Sequence, residues 1–206
     1  VPARKARNDG LPEQVRTVIW PAACAASDET FRQLTAWIRR GGQAIITGLP
    51  GWDETRKFIG GQRIQALLGC KLKKLFYDPL GRAGAQSTNV ELAGKTYLAR
   101  PQAAVSAARG KTILSCSDGS PLIMAARIGQ GQVVWVSDAV ELSPDPDWPY
   151  ILALYEAALD CLQAKPPKIA IEPNLPDVHA LVQPTRTGAI YVLYDIRREG
   201  ERRQVT

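Results

Sequence analysis

The stretch from Val18 to Gly48, VIWPAACAASDETFRQLTAWIRRGGQAIITG, constrains the fold more than any other part of this chain. A short apolar run, Val18 to Trp20, is stopped by Pro21 and reads as a buried strand leading into a loop. Ser27 or Asp28 then supplies a helix N-cap, and acidic residues fall in the first turn. Apolar residues recur at Phe31, Leu34, Trp37 and Ile38, and arginines fill the last turn before Gly41-Gly42 stop the helix. QAIITG is a second strand, expected to be buried on both faces because its apolar residues do not alternate with polar ones. Strand, capped helix, double glycine and strand make a βαβ unit, so the sheet here is predicted to be parallel.

Further along, GGQRIQALLGCKLKKLFY predicts a short helix around Ile64 to Leu68, ended by Gly69, and then a strand. From about residue 79 to 136 the pattern changes to short strands, with turns at Asp118-Gly119 and at Gly129 to Gly131. WPYILALYEAALDCLQ (148–163) predicts a helix, with Pro149 tolerated in its first turn. The prolines of AKPPKIAIEPNLPD mark a linker. Beyond it, HALVQPTRTGAIYVLYDI predicts a hairpin around Arg186 to Gly188, the opening of a further β-domain because two strands alone are barely stable.

A chain of 206 residues supports one well-buried domain plus an appendage. Hydrophobic content of 45% with 22% charged residues is that of a globular protein. No apolar stretch approaches the ~20 residues a membrane helix needs. VPARKARNDG is not a signal peptide, because no apolar segment follows its basic residues. The chain also opens without a methionine, so a fragment of something longer is expected.

The net charge of +6 raises nucleic-acid binding as a question. Position answers it. Arg4, Lys5 and Arg7 against Asp9 give +2, and Arg197, Arg198, Arg202 and Arg203 against Glu199 and Glu201 give another +2. Four of the six excess charges therefore lie at the two ends, where solvated tails explain them. Lys71, Lys73 and Lys74 in KLKKLFY are read as protection of an exposed strand edge. Cys24, Cys70, Cys116 and Cys161 are widely spaced and there is one histidine, so no zinc site is expected. Their apolar surroundings suit buried free thiols in a reducing compartment, and the expected location is cytoplasmic.

Chemistry is tested most directly at IITGLPGWDE (45–54), where a strand breaks into a glycine-rich turn. It lacks the G-K-[ST] of a phosphate loop and the G-x-G-x-x-G of a dinucleotide site, and its acidic pair would repel an anion. No cofactor is expected. The order VIWPAA, helix, GG, IITGLPG resembles the core of the class I glutamine amidotransferase and flavodoxin-like family. That resemblance implies a nucleophile at the elbow after the second strand, with a histidine to activate it. Gly48 or Leu49 stands at the elbow, and Ser137 and Asp138 stand in VWVSDAVE where the histidine would be. Thr47 and Cys24 are substitutes without a base, and no catalytic residue is assigned.

A more specific resemblance runs through VIWPAACAASDETFRQLTAWIRRGGQAIITGLPGWDE, LLG and GKTILSCSDGSPLIMAARIGQGQVVWVSD. In that order these are similar to the trimerisation domain of family 42 glycoside hydrolases, the β-galactosidases. The terminal hairpin is similar to the start of the small β-sandwich that closes them. The resemblance implies an α/β, flavodoxin-like (amidotransferase-like), mostly parallel sheet flanked by helices over residues 1–163. A linker and β-hairpin of a C-terminal β-domain follow over 164–206. It implies a non-catalytic role in trimer assembly and in walling a (β/α)8 catalytic barrel of the same parent, with carbohydrate as a further candidate partner. The absence of a long apolar stretch speaks against a membrane partner, and the placement of the charges disfavours nucleic acid. The barrel, and the first strand and helix of the α/β domain, are expected to lie outside this chain. Retaining glycoside hydrolysis needs two carboxyls ~5 Å apart across the scissile bond, and adjacent Asp53 and Glu54 would point in different directions from a turn. Trp52, Asp53 and Glu54, with Asp138 and Glu141 after a later strand, are instead expected at the carboxyl ends of the strands, bordering a carbohydrate site. The alternatives are an amidotransferase-like hydrolase with an unrecognised nucleophile and a basic nucleic-acid-binding module.

Overall fold

The computed structural model describes residues 15–76, 87–106, 109–142 and 147–164, and the backbone of 178–184 and 189–195. The terminal arginine and lysine clusters, Tyr77, the linker and the Arg186–Gly188 turn lie outside them. The chain divides into two units, Val1–Ala164 and Lys165–Thr206.

The first unit is built on a five-stranded mixed sheet. In chain order its strands are β1 (Thr17–Trp20), β2 (Gln43–Thr47), β7 (Lys111–Ser115), β8 (Pro121–Ile128) and β9 (Gly131–Val136), arranged in space as β1-β2-β9-β8-β7. β1, β2 and β9 are mutually parallel, as the βαβ pattern requires. β8 alone is reversed, pairing antiparallel with both β9 and β7, so two of the sheet's four pairings are antiparallel where a mostly parallel sheet is expected. The reason is local: the turns at Asp118-Gly119 and Gly129-Gln130 are too short for a crossover, and tight turns force antiparallel pairing.

Among the described residues, three α-helices cover the two faces. Helix α1 (Asp28–Arg39) is capped by the Ser27 side chain, which accepts from the Thr30 amide. Its Phe31, Leu34, Trp37 and Ile38 pack with α2 (Gly60–Leu68) on one face, against Ala44, Ile46, Val133 and Trp135. Helix α3 (Trp148–Leu162) has Asp147 as N-cap and Pro149 in its first turn. It buries Tyr150, Ile151, Leu154, Ala158 and Leu162 on the other face, against Ile45, Val134 and Val136. Alternate residues of β2 and β9 thus serve opposite helix layers, which is why both strands read as continuous apolar runs. Each large side chain fully buried this way contributes about 1.5–3 kcal/mol. Two small antiparallel pairs complete the unit: β3 (Lys71–Leu75) with β6 (Ala103–Ser106), and β4 (Thr88–Leu92) with β5 (Lys95–Ala99). In β3 the three lysines are exposed while Leu72 and Leu75 pack against the core.

Three further expectations differ from the structure. β1 is an edge strand rather than a buried one, with Ile19 46% exposed, because no described strand pairs with its outer side. α2 begins at Gly60, a full turn before the apolar residues that predict it. There Phe58 and the backbone of Gly51 leave no room for a Cβ on Gly60, so close packing holds a glycine where helix propensity disfavours one. All four cysteines are free, but only Cys70 and Cys116 are buried; Cys24 and Cys161 are half-buried.

In the second unit β10 (Val178–Pro184) and β11 (Ala189–Asp195) form an antiparallel hairpin, in register from Val178 opposite Asp195 to Pro184 opposite Ala189.

Candidate functional site

Parallel strands deliver the loops at their carboxyl ends to one end of the sheet, where ligands of open α/β sheets bind. Here those loops are Pro21–Ala26 after β1, Gly48–Ile59 after β2, and Ser137–Leu142 after β9. The elbow after β2 is real as backbone. Gly48 has φ +76°, and its amide donates to the carbonyls of Val136 (2.9 Å) and Asp138 (3.2 Å). Its own carbonyl accepts the Trp135 indole N–H at 2.7 Å. A Cβ at Gly48 would lie 3.0 Å from Ala139 Cβ and 3.3 Å from Gln102 Oε1. The elbow is therefore filled by its neighbours, and it offers neither the side chain nor the space for a nucleophile.

The substitute nucleophiles are tied down as well. Thr47 is 1% exposed. Its hydroxyl accepts from the Ala22 amide (2.8 Å) and donates to Glu141 Oε2 (2.7 Å). The other Glu141 oxygen accepts the Tyr155 hydroxyl. Burial pushes the Cys24 thiol above its ordinary 9.0, and the Glu141 charge pushes it further, against a weak 4.0 Å contact from the Gln102 amide. A thiol held protonated is a poor nucleophile at neutral pH. Asp138, 6% exposed, accepts from the Arg100 amide (2.8 Å) and the Tyr150 hydroxyl (3.1 Å). Burial pushes its carboxyl up from the ordinary 3.8 to about 6, against the lowering effect of those two hydrogen bonds. Asp138 joins β9, the β5–β6 loop and α3, and Glu141 joins β2, β9 and α3.

Trp52, Asp53 and Glu54 form the outer part of the rim. The Trp52 amide donates to the Cys24 carbonyl at 3.1 Å, and its ring meets Phe58 edge-on at 5.4 Å. One oxygen of Asp53 accepts from the Lys57 and Thr55 amides and the Thr55 hydroxyl, each at 2.8 Å. Those bonds, the Lys57 amide foremost, hold its carboxyl below the usual range. Glu54 accepts the Asp28 amide at 2.9 Å and so caps α1 from the neighbouring loop. The five expected residues thus lie at the same end of the sheet but in two groups. The tip of the β2 loop braces α1, and Asp138 and Glu141 brace α3 from beneath.

What the sequence reading missed is the residue that holds the rim together. Arg63, 2% exposed, donates to the carbonyls of Trp52 (2.9 Å) and Ala26 (2.8 Å) and to Asp28 Oδ1 (2.8 Å). Its guanidinium also stands 4.9 Å from the centre of the Phe31 ring. A signal was present: position 63 lies one turn before Leu67 on the face that carries Ile64, so an arginine there falls on the buried side. Gln102 was missed too. Its side-chain oxygen accepts the Leu49 amide at 2.6 Å, and nothing in the local text RPQAAV marks it. Among the described residues, no group of three His, Cys, Asp or Glu could hold a metal ion.

The fold and the site define a class: a mixed α/β domain whose β2 loop turns at Gly48 against Ala139 and Gln102. The β-galactosidase trimerisation domain family matches residues 11–160, and the chain belongs to that family. No curated protein matches the chain at a significant level. Solved structures with a similar fold include a β-galactosidase from Bacillus circulans sp. alkalophilus (14% identity, TM-score 0.61, 87% of this chain and 27% of that one). A catalytic mutant of Gan42B, a GH42 β-galactosidase from G. stearothermophilus, is also similar (17% identity, TM-score 0.59, 83% and 25%). So is an exo-β-1,4-mannosidase from Opitutaceae bacterium strain TAV5 (19% identity, TM-score 0.54, 75% and 26%). The chain spans about a quarter of the length of each.

Proposed function

We propose that this chain is a non-catalytic assembly domain of a glycoside hydrolase similar to family 42 β-galactosidases. It joins subunits as a trimer and walls a (β/α)8 catalytic barrel carried elsewhere in the same parent protein. The observation that carries this reading is the family match across residues 11–160. The filled elbow at Gly48, and the burial that pushes the Cys24 thiol above its ordinary range, support it, because they weigh against those two positions as the nucleophile of an amidotransferase-like hydrolase.

The parallel β1-β2-β9 core with helices on both faces supports a flavodoxin-like arrangement over 1–163, and the β10–β11 hairpin supports the opening of a small β-sandwich. The rim of Trp52, Asp53 and Glu54 borders the sugar site of the parent, with Asp138 and Glu141 bracing it. Four free cysteines support a reducing, cytoplasmic setting. Among the described residues no helix is long and apolar enough to cross a membrane.

The test is an assay of the purified chain against a nitrophenyl galactoside. No hydrolysis is expected. Turnover that disappears in Asp53→Ala would place catalysis in this domain and overturn the proposal.

A further inference from the structure

At the other end of β9 from these loops, the Gly129-Gln130 turn and the last turns of α1 and α2 enclose a cleft of about 200 Å³. Arg39, Arg109 and Arg127 line it, and no lining residue is acidic. All three arginines are exposed, and the ion pairs among the described residues, Arg32 with Glu29 and Arg63 with Asp28, use none of them. One wall is a bare glycine. Gly69 has φ +66°, and a Cβ built on it would fall 2.4 Å from Arg109 Nε and 3.1 Å from Cζ. The Arg109 guanidinium therefore rests against backbone at the end of α2, where any larger residue would displace it.

A plain explanation is that the arginines offset the negative ends of two helices. Magnitudes limit it. Each helix C-terminus carries roughly half a negative charge, so two of them balance about one arginine and about two positive charges remain. Guanidinium groups present paired N–H donors in a planar fork, which matches the oxygens of carboxylate and phosphate. A cleft of about 200 Å³ is smaller than the roughly 300–1,000 Å³ of drug-sized sites, so it suits one such group and not a whole nucleotide.

We propose that this cleft binds a single oxyanion group, phosphate or carboxylate, held between Arg39, Arg109 and Arg127. The group can come from a free small anion or from an acidic side chain of a second copy of the chain, and one experiment separates the two. The full 206-residue chain is titrated with inorganic phosphate at constant ionic strength, following the Gly69 and Gly129 amides by ¹⁵N-resolved NMR, with chloride as the control. Saturable shifts specific to phosphate are expected, with affinity reduced at least about tenfold in Arg109→Gln and in Arg127→Gln. A dilution series without phosphate is the second arm. If the same amides move with protein concentration and phosphate reverses the movement, the occupant is a carboxylate of a second copy. Amides that respond in neither arm, or that follow chloride equally, overturn the proposal and leave the arginines as counter-charges to the helix ends.

Discussion

Arg63→Met removes one cation and releases three segments at once: the backbone carbonyls at the end of the β1 loop and the tip of the β2 loop, and the Asp28 side chain at the start of α1. Hydrogen bonds to a charged donor are worth about 1.5–3 kcal/mol each, discounted here because the Asp28 partner is 59% exposed. A net loss of about 3 kcal/mol is expected from urea unfolding, and Arg63→Lys should not restore it, since an ammonium cannot span the same three acceptors. A loss below about 0.5 kcal/mol would mean the loops hold themselves. Asp138 makes a prediction in pH. Its folded-state pKa of about 6 lies above the ordinary 3.8, so the folded chain holds this proton more tightly than the unfolded chain. Its favourable contribution is complete below about pH 4, is lost as pH rises through 6, and is gone above that, a change of about 3 kcal/mol. Asp138→Asn should flatten the fall in stability between pH 4 and pH 7. An unchanged slope in the variant would assign the effect to other groups.

At the scale of elements, the start of β9 is the tightest point. Gly131 runs so close under the end of α1 that an added Cβ would lie 2.0 Å from the Ile38 carbonyl and 2.2 Å from that of Gly42. Gly131→Ala should therefore cost about 3 kcal/mol or more, or prevent folding, as both obstacles are backbone. Circular dichroism and the thermal midpoint read this directly, and a midpoint unchanged from the parent would contradict the packing described. The same comparison explains what could be read from sequence. α1, β2 and α3 were legible because caps, periodicity and stop signals all lie within the element that they define. The position of β1 at the edge was not, because strand order in a sheet depends on partners distant in sequence, and VIW is as apolar as a buried strand. The early start of α2 was hidden for a similar reason: Gly60-Gly61 reads as a break until Phe58 and Gly51 are seen pressing on it. In the rim, the chain text located the loops and their end of the sheet. It could not show that Asp53 closes its own turn, that Glu54 caps α1, or that Gln102 and Arg63 reach in from elsewhere.

At the scale of the whole molecule, the chain is an α/β member of the β-galactosidase trimerisation domain family whose sheet has two unlike edges. β7 guards its outer edge with Lys111 and two register irregularities, whereas β1 has regular pairing and an exposed Ile19, so the two ends of the sheet are unequal. Such asymmetry suits a chain that meets other protein surfaces. The most direct measurement of the central claim is analytical ultracentrifugation of the purified 206-residue chain over a wide concentration range. A species of three times the chain mass, growing with concentration, is the predicted result. A chain that remains monomeric throughout would contradict its role in trimer assembly.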